Sequence, residues 1–305
     1  MHPVRLHPRL HRIFPEGISN EVYLLREDEA GFAVAGGKRR KYAALVPWLQ
    51  EQGYAQVAVI GSLHSNNVLA ASQFLLEAGL RPVLFLKEAH FEGPGNAFLT
   101  ELLVPRSEWH LVPSPDWPNV NELAAEFAAA AETPTYVLPE GAFCEPAFWG
   151  TTGLAEDLRE LTVRHEMEVE RVYMDAGTGL SAAGLIWGGE WPVRVIGMAL
   201  SAEEFEAVVV RTGSWYAPGQ KVPVYDFQRP RNARSFGAVN QTVLRDLVAF
   251  ARTHGVLTDP IYSGKLLREA FQDLRESPAK GPVVLVHSGG ASTLAGFYDR
   301  LRPLL

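Results

Sequence analysis

Lys38 and Lys41, in the run Gly36-Gly37-Lys38-Arg39-Arg40-Lys41, are the residues of this chain best placed for covalent chemistry. A lysine crowded by other cations and partly desolvated has its pKa pushed down, and the neutral amine can then form a Schiff base with a carbonyl such as the aldehyde of pyridoxal phosphate. Two glycines directly before Lys38 let a ligand approach the backbone, and the helix that follows is expected to start near Tyr42. Taken alone, such a basic run is also an ordinary solvated surface.

Three further turns each stand where an apolar strand gives way to a helix. In the first, the run 57–61 leads into Ser62-Leu63-His64-Ser65-Asn66-Asn67. Serine and asparagine cap helices whether or not a ligand is present. The functional reading puts a substrate carboxylate on the helix N-terminus, proton transfer on the Ser65 hydroxyl and a cofactor ring oxygen on the Asn66 amide, with His64 and Asn67 as neighbouring substrate contacts. The second turn, Gly177-Thr178-Gly179-Leu180-Ser181-Ala182, offers backbone N–H groups and two hydroxyls. It lacks both the Gly-Lys-Ser/Thr ending of a P-loop and the spaced glycines of a dinucleotide site, so a monophosphate fits it best. The third is His287-Ser288-Gly289-Gly290.

Parallel strands alternating with helices would bring these turns to one edge. Apolar runs at 57–60, 83–86, 110–112 and 135–138 form one candidate set, and 171–174, 193–200, 222–227 and 283–286 a second. The expected fold class is α/β with two largely parallel sheets covered by helices. Asn119 before Leu123-Ala124-Ala125 is expected to cap a helix with Glu122 reaching back, and the apolar spacing from Val239 to Val248 predicts a helix that Gly255 ends.

Composition narrows the partners. The 305 residues carry 28 basic against 35 acidic side chains, a net charge of −7, which argues against nucleic-acid binding and for a small-molecule role. Single Cys144 can form no internal disulfide, and His287, Cys144 and His90 show no metal-ligand spacing, so no metal is expected. No apolar stretch reaches the roughly 20 residues of a membrane span, and the first residues lack a signal-peptide core, so a cytoplasmic location is expected. Gly-x-Ser-x-Gly is absent around every serine, which removes the usual α/β-hydrolase signature.

In order along the chain stand Arg26-Glu27-Asp28, Gly37-Lys38-Arg39-Arg40-Lys41, Ser65-Asn66, Gly95-Asn96, Gly177-Thr178-Gly179, Asp259-Pro260-Ile261-Tyr262-Ser263-Gly264-Lys265 and His287-Ser288-Gly289-Gly290. This order resembles the tryptophan-synthase-β-like (fold type II) pyridoxal-phosphate enzymes, and within them the 1-aminocyclopropane-1-carboxylate deaminase and D-cysteine desulfhydrase family. The resemblance implies pyridoxal 5'-phosphate carried by Lys38, an active-site serine at Ser65, a ring contact at Asn66 and a phosphate cradle at Gly177, Thr178, Gly179, Leu180, Ser181 and Ala182. It also implies an active-site tyrosine at Tyr262 and, at Ser288, a hydroxyl against the pyridine nitrogen. It further implies a large domain of residues 1–41 and 150–305, a small inserted domain of 42–149, and a homodimer.

This sequence departs from the family at three places. Gly37 replaces the asparagine before the lysine, Phe236 replaces a tyrosine, and Ser263 stands where the deaminase branch has a glutamate. With hydroxyls at 263 and 288, the ring nitrogen is expected to stay unprotonated and the electron sink weak. That favours β-elimination of a good leaving group, as from D-cysteine, over opening of a cyclopropane ring. A pyridoxal-phosphate-binding protein without turnover and a nucleotide- or sugar-phosphate-binding module are the rival readings.

Overall fold

The computed structural model describes residues 2–31, 34, 36–89 and 94–305; His90 lies outside them. In chain order the elements are β1 (Leu10–Ile13), β2 (Val22–Arg26), α1 (Gly37–Glu51), β3 (Gln56–Ser62), α2 (Asn66–Glu77), β4 (Arg81–Lys87), α3 (Asn96–Leu103), β5 (Trp109–Val112), α4 (Val120–Ala130) and β6 (Thr135–Leu138). There follow α5 (Glu145–Arg164), β7 (Arg171–Ala176), α6 (Leu180–Gly188), β8 (Val193–Gly197), α7 (Ala202–Tyr216), β9 (Tyr225–Gln228), α8 (Gln241–His254), α9 (Ser263–Glu276) and β10 (Val283–His287). Among the described residues the strands form two sheets, in the orders β5-β4-β3-β6 and β1-β2-β10-β7-β8-β9. Every pairing is parallel except that of β1 with β2.

Helices cover both faces of each sheet, which is why the central strands read as unbroken apolar runs. In β3, Val57 and Val59 join the large core with Leu45, Leu49 and Leu75, while Ala58 and Ile60 point to the other face and meet Val120 and Ala124 of α4. In the larger sheet, Leu24, Tyr173, Ile196 and Leu285 pack under Leu266, Ala270 and Leu274 of α9. Val172, Met174, Val195, Val284 and Val286 face α5 and α6. Successive strand residues thus take opposite faces, as pleating requires. No helix of the described residues is long and apolar enough to cross a membrane.

Several sequence expectations need correcting. Strands β1 and β2 were not anticipated: β1 is a four-residue edge strand carrying His11 and Arg12, too short and polar to stand out. Helix α1 begins at Gly37 rather than near Tyr42, because Gly36 takes φ +64° and the Arg39 N–H already donates to its carbonyl at 2.9 Å. Asn119 makes no side-chain cap: the Trp117-Pro118 turn brings the chain in already coiled at φ −98°, ψ 8°, not in the extended geometry a cap needs. The strand expected over 193–200 stops at Gly197, and the one over 222–227 begins at Tyr225. Helix α8 matches expectation, capped by the Asn240 side chain at 3.0 Å and ended by Gly255 in the left-handed region.

Candidate active site

A cleft of about 650 Å³ opens where the carboxyl ends of β3 and β7 and the turn after β10 face one another, the usual ligand position in parallel α/β sheets. Its walls include Lys38, Lys41, His64, Ser65, Asn66, Asn67, Asp175, residues 177–182, Tyr262 and Ser288. All the residues singled out from the sequence as catalytic, cofactor-binding or substrate-binding therefore meet in one place.

Lys38 sits in the first turn of α1 with its Nζ 5.9 Å from the Tyr262 ring centroid. Helix α1 is fixed from behind by Arg40, which is fully buried and donates to Glu27 at 2.6 Å, to Asp157 at 2.7 Å and to the Val4 carbonyl. A side chain at Gly36 would run into the Ser288 carbonyl, so the approach to Lys38 is pressed against the turn after β10. Lys41, one turn on, is buried and donates to the Gly141 carbonyl at 2.8 Å. Burial first, and the neighbouring Lys38 charge second, push Lys41 down to about 7.

The α2 N-terminus is capped as its composition allows: the Ser65 hydroxyl accepts from the Asn67 N–H at 3.0 Å and the Val68 N–H at 3.4 Å. Accepting leaves that hydroxyl its own proton to give. Asn66 turns its Oδ1 to Asn96 at 2.8 Å and Thr293 at 3.1 Å, so its Nδ2 is the group left to donate toward the cleft. Asn67 is 9% exposed, and neither its Oδ1 nor its Nδ2 has a partner. Buried amides normally pair, and leaving one unpaired costs about 1–3 kcal/mol.

Opposite, α6 starts from Gly179 at φ +83° with no side chain capping its first turn. The free first-turn N–H groups, among them those of Leu180, Ser181 and Ala182, belong to a stretch that lines the cleft. A Cβ at Gly177 would come within 3.1 Å of the Tyr262 ring, and one at Gly141 would run into Thr178. Small residues are thus needed where a phosphate would approach, and the donor set fits a monophosphate ester. Among the described residues, no group of three or more His, Cys, Asp or Glu is placed to hold a metal.

Tyr262 stays a phenol, because burial and the negative charges of Asp259, Asp175 and Glu140 all raise its pKa. Phe236 lies at the cleft wall, 53% exposed, with its ring edge-on to Tyr262 at 6.2 Å. His287 bridges within the protein, its Nε2 2.8 Å from the Leu257 carbonyl and its Nδ1 accepting from the Gly289 N–H at 3.3 Å. That is the structural role its spacing suggested.

The hydroxyls of Ser263 and Ser288, which the sequence reading offered to a ring nitrogen, both have carboxylate acceptors within the protein. Ser263 is buried, does not line the cleft, and donates its proton to Asp259 at 2.7 Å. Ser288 does line the cleft but donates to Asp175 at 2.9 Å. The sequence reading missed both carboxylates. Asp175 stands just before the Gly177 turn and was given no role, and Asp259, which also accepts from the Ile261, Tyr262 and Ser263 N–H groups, was quoted only as part of a motif. Asn96 and Thr293, which hold Asn66, were missed as well; Gly95-Asn96 was a signal for the first, and nothing marked the second.

The fold and the cleft define a two-sheet α/β protein with a lysine, a glycine-rich turn and two helix N-termini converging on one cleft. No protein-family model matches the chain. It is 26% identical to a 1-aminocyclopropane-1-carboxylate deaminase of Variovorax paradoxus over 97% of this chain and 94% of that one. It is 24% identical to a D-cysteine desulfhydrase of Klebsiella pneumoniae, over 98% and 94%. Among solved structures, an ACC deaminase homologue superposes with a TM-score of 0.86 at 21% identity, covering 100% of this chain and 97% of the other. A fungal L-serine ammonia-lyase from Rhizomucor miehei follows with a TM-score of 0.66 at 17% identity, covering 98% of each. The chain thus resembles the 1-aminocyclopropane-1-carboxylate deaminase and D-cysteine desulfhydrase family over its whole length, as its motifs led us to expect.

Proposed function

We propose that this chain is a pyridoxal-5'-phosphate-dependent lyase acting on a small amino acid, removing the α-proton and eliminating a β-substituent to leave an α-keto acid and ammonia. The observation that carries the reading is the meeting, in one cleft, of Lys38, the uncapped first turn of α6 and the start of α2 at Ser65. Bound there, the cofactor would supply the electron sink. Lys38 would hold its aldehyde carbon and then carry protons, residues 177–182 would hold its phosphate, and Asn66 and Ser288 would contact its ring. The α2 N-terminus, with His64, Ser65, Asn66 and Asn67, would take the substrate carboxylate, and Ser65 and Tyr262 are the further proton donors. The lysine-bound cofactor is yellow, so the absorption spectrum of the purified protein separates this reading from a nucleotide- or sugar-phosphate-binding module. Absence of keto-acid product from every small D- and L-amino acid would leave a cofactor-binding protein without turnover.

Within the same proposal, residues 1–41 and 150–305 form the large domain and 42–149 the small one, with both boundaries inside helices, α1 and α5. A homodimer is proposed on the family resemblance alone.

Ser65→Ala is expected to keep the cofactor absorbance but lower turnover by about 10²-fold or more, the scale for losing a positioned proton-transfer group. The lost cap should cost about 1 kcal/mol of stability, measurable by denaturant titration. Wild-type turnover in this variant would reduce Ser65 to a helix cap.

The finer substrate reading is D-cysteine or a related β-substituted amino acid, supported by Ser263 in place of the deaminase branch's glutamate. Ring opening of 1-aminocyclopropane-1-carboxylate is a second reading, favoured by the carboxylate behind Ser288. Pyruvate and sulfide from D-cysteine are expected to form faster than 2-oxobutyrate from the cyclopropane acid when the two are assayed side by side. The opposite order would reverse the assignment.

A further inference from the structure

Asp175 is the penultimate residue of β7, at the wall of the cleft two positions before Gly177, and is the acceptor of the Ser288 hydroxyl at 2.9 Å. The groups that act on it are Lys38 and Lys41 from α1, His287 and Ser288 at the end of β10, and Asp259 and Tyr262 from the segment before α9. Burial lifts Asp175 to about 6, against the pull of the Lys38 charge and the Ser288 hydrogen bond, so at neutral pH it stays largely ionised. An ionised carboxylate can only accept. The Ser288 proton is therefore committed to Asp175, and what Ser288 presents to the cleft is an oxygen lone pair. The other serine near this wall, Ser263, has its proton committed to Asp259 in the same way.

We propose that Asp175 and Ser288 form a paired acceptor for the ring nitrogen of bound pyridoxal phosphate and hold that nitrogen protonated. The proposal rests on the cofactor reading above, with Ser288 as the ring-nitrogen contact. The proton on the ring nitrogen points at the Ser288 oxygen, the Ser288 proton stays on its bond to Asp175, and no other proton moves. Asp175 acts through Ser288 and is a positioning residue. A neutral serine is thereby turned from a donor into an acceptor by the carboxylate behind it, and the electron sink is the strong, pyridinium one.

The test is the nitrogen resonance of the holoenzyme reconstituted with cofactor labelled with nitrogen-15 in the ring. The wild-type protein is expected to show the pyridinium shift at neutral pH. In Asp175→Asn, which still binds the cofactor to lysine, the resonance should move to the free-base pyridine position, and Asp175→Glu should restore it. Ser288→Ala should move it the same way with Asp175 in place, which covers the case in which Asp175→Asn does not fold. A wild-type protein with lysine-bound absorbance but a free-base ring nitrogen overturns this proposal and leaves the cofactor reading standing. An Asp175→Asn resonance unchanged from wild type overturns it equally. No lysine-bound absorbance at all in the wild type would remove the cofactor reading and this proposal together.

Discussion

Replacing Lys38 by alanine is expected to abolish the lysine-bound cofactor absorbance and to cut turnover by at least the roughly 10²–10⁴-fold that a lost proton carrier costs. Lys41→Met should keep both signals, although Lys41 is the lysine whose pKa burial depresses to about 7. A depressed pKa makes a lysine a better nucleophile, so chemistry alone would favour Lys41. Geometry decides the other way. The Lys41 ammonium is tied to the Gly141 carbonyl at 2.8 Å, whereas Lys38 reaches the cleft beside Tyr262. Borohydride reduction followed by peptide mapping should place the label on Lys38, and a label on Lys41 would overturn the assignment.

The second large effect concerns stability. Arg40→Met should destabilise the fold by about 3–5 kcal/mol in denaturant titration, because it leaves buried Glu27 without its cation and buried Asp157 with only Arg5 of its two arginines. Glu27 and Asp157 are at most 1% exposed, and one Glu27 oxygen has no partner even in the intact protein. Burial alone would raise the Asp157 carboxyl, but the Leu6 N–H, Arg40 and Arg5 outweigh it and hold the group below the usual carboxylate range. A depressed carboxylate stabilises the fold fully above its unfolded pKa of about 4, and that stability is lost as pH falls through the lower folded value. Without Arg40 the acid transition should therefore begin at higher pH. Arg9→Ala, which breaks an exposed pair with Glu29, should change stability by about 1 kcal/mol or less, and a loss equal to that of Arg40→Met would deny the buried network its special weight.

What the sequence disclosed follows from where its information is local. The strands of the smaller sheet were legible because each is a short apolar run between helical stretches, and Gly36, Gly179 and Gly290 marked real turns because all three take positive φ. Strand β1 was not legible, since its place depends on pairing with β2 and not on its own residues. Around the cleft, residue types announced the lysine, the cradle and the helix start. The acceptor of the Ser288 proton was hidden, because Asp175 and Ser288 are 113 residues apart and only the packing of β7 beside β10 makes them partners. Knowing that a hydroxyl is present does not say which way its proton points, and for the ring nitrogen that direction is the whole chemical question.

The pairing of β2 with β10 bears on how the protein is made. Val22 lies opposite Val283, so the larger sheet cannot close until residue 283 has been synthesised. Strands β3 to β6, all between residues 56 and 138, can meet while the remainder is still emerging from the ribosome. Such long-range pairing is slow and leaves strand edges open in the meantime. Until β10 docks, Ser288 is not beside Asp175 and the turn that presses on Gly36 is missing. Lys38 is therefore translated early but acquires its surroundings only once β10 and the turn after it have been made, about 250 residues later.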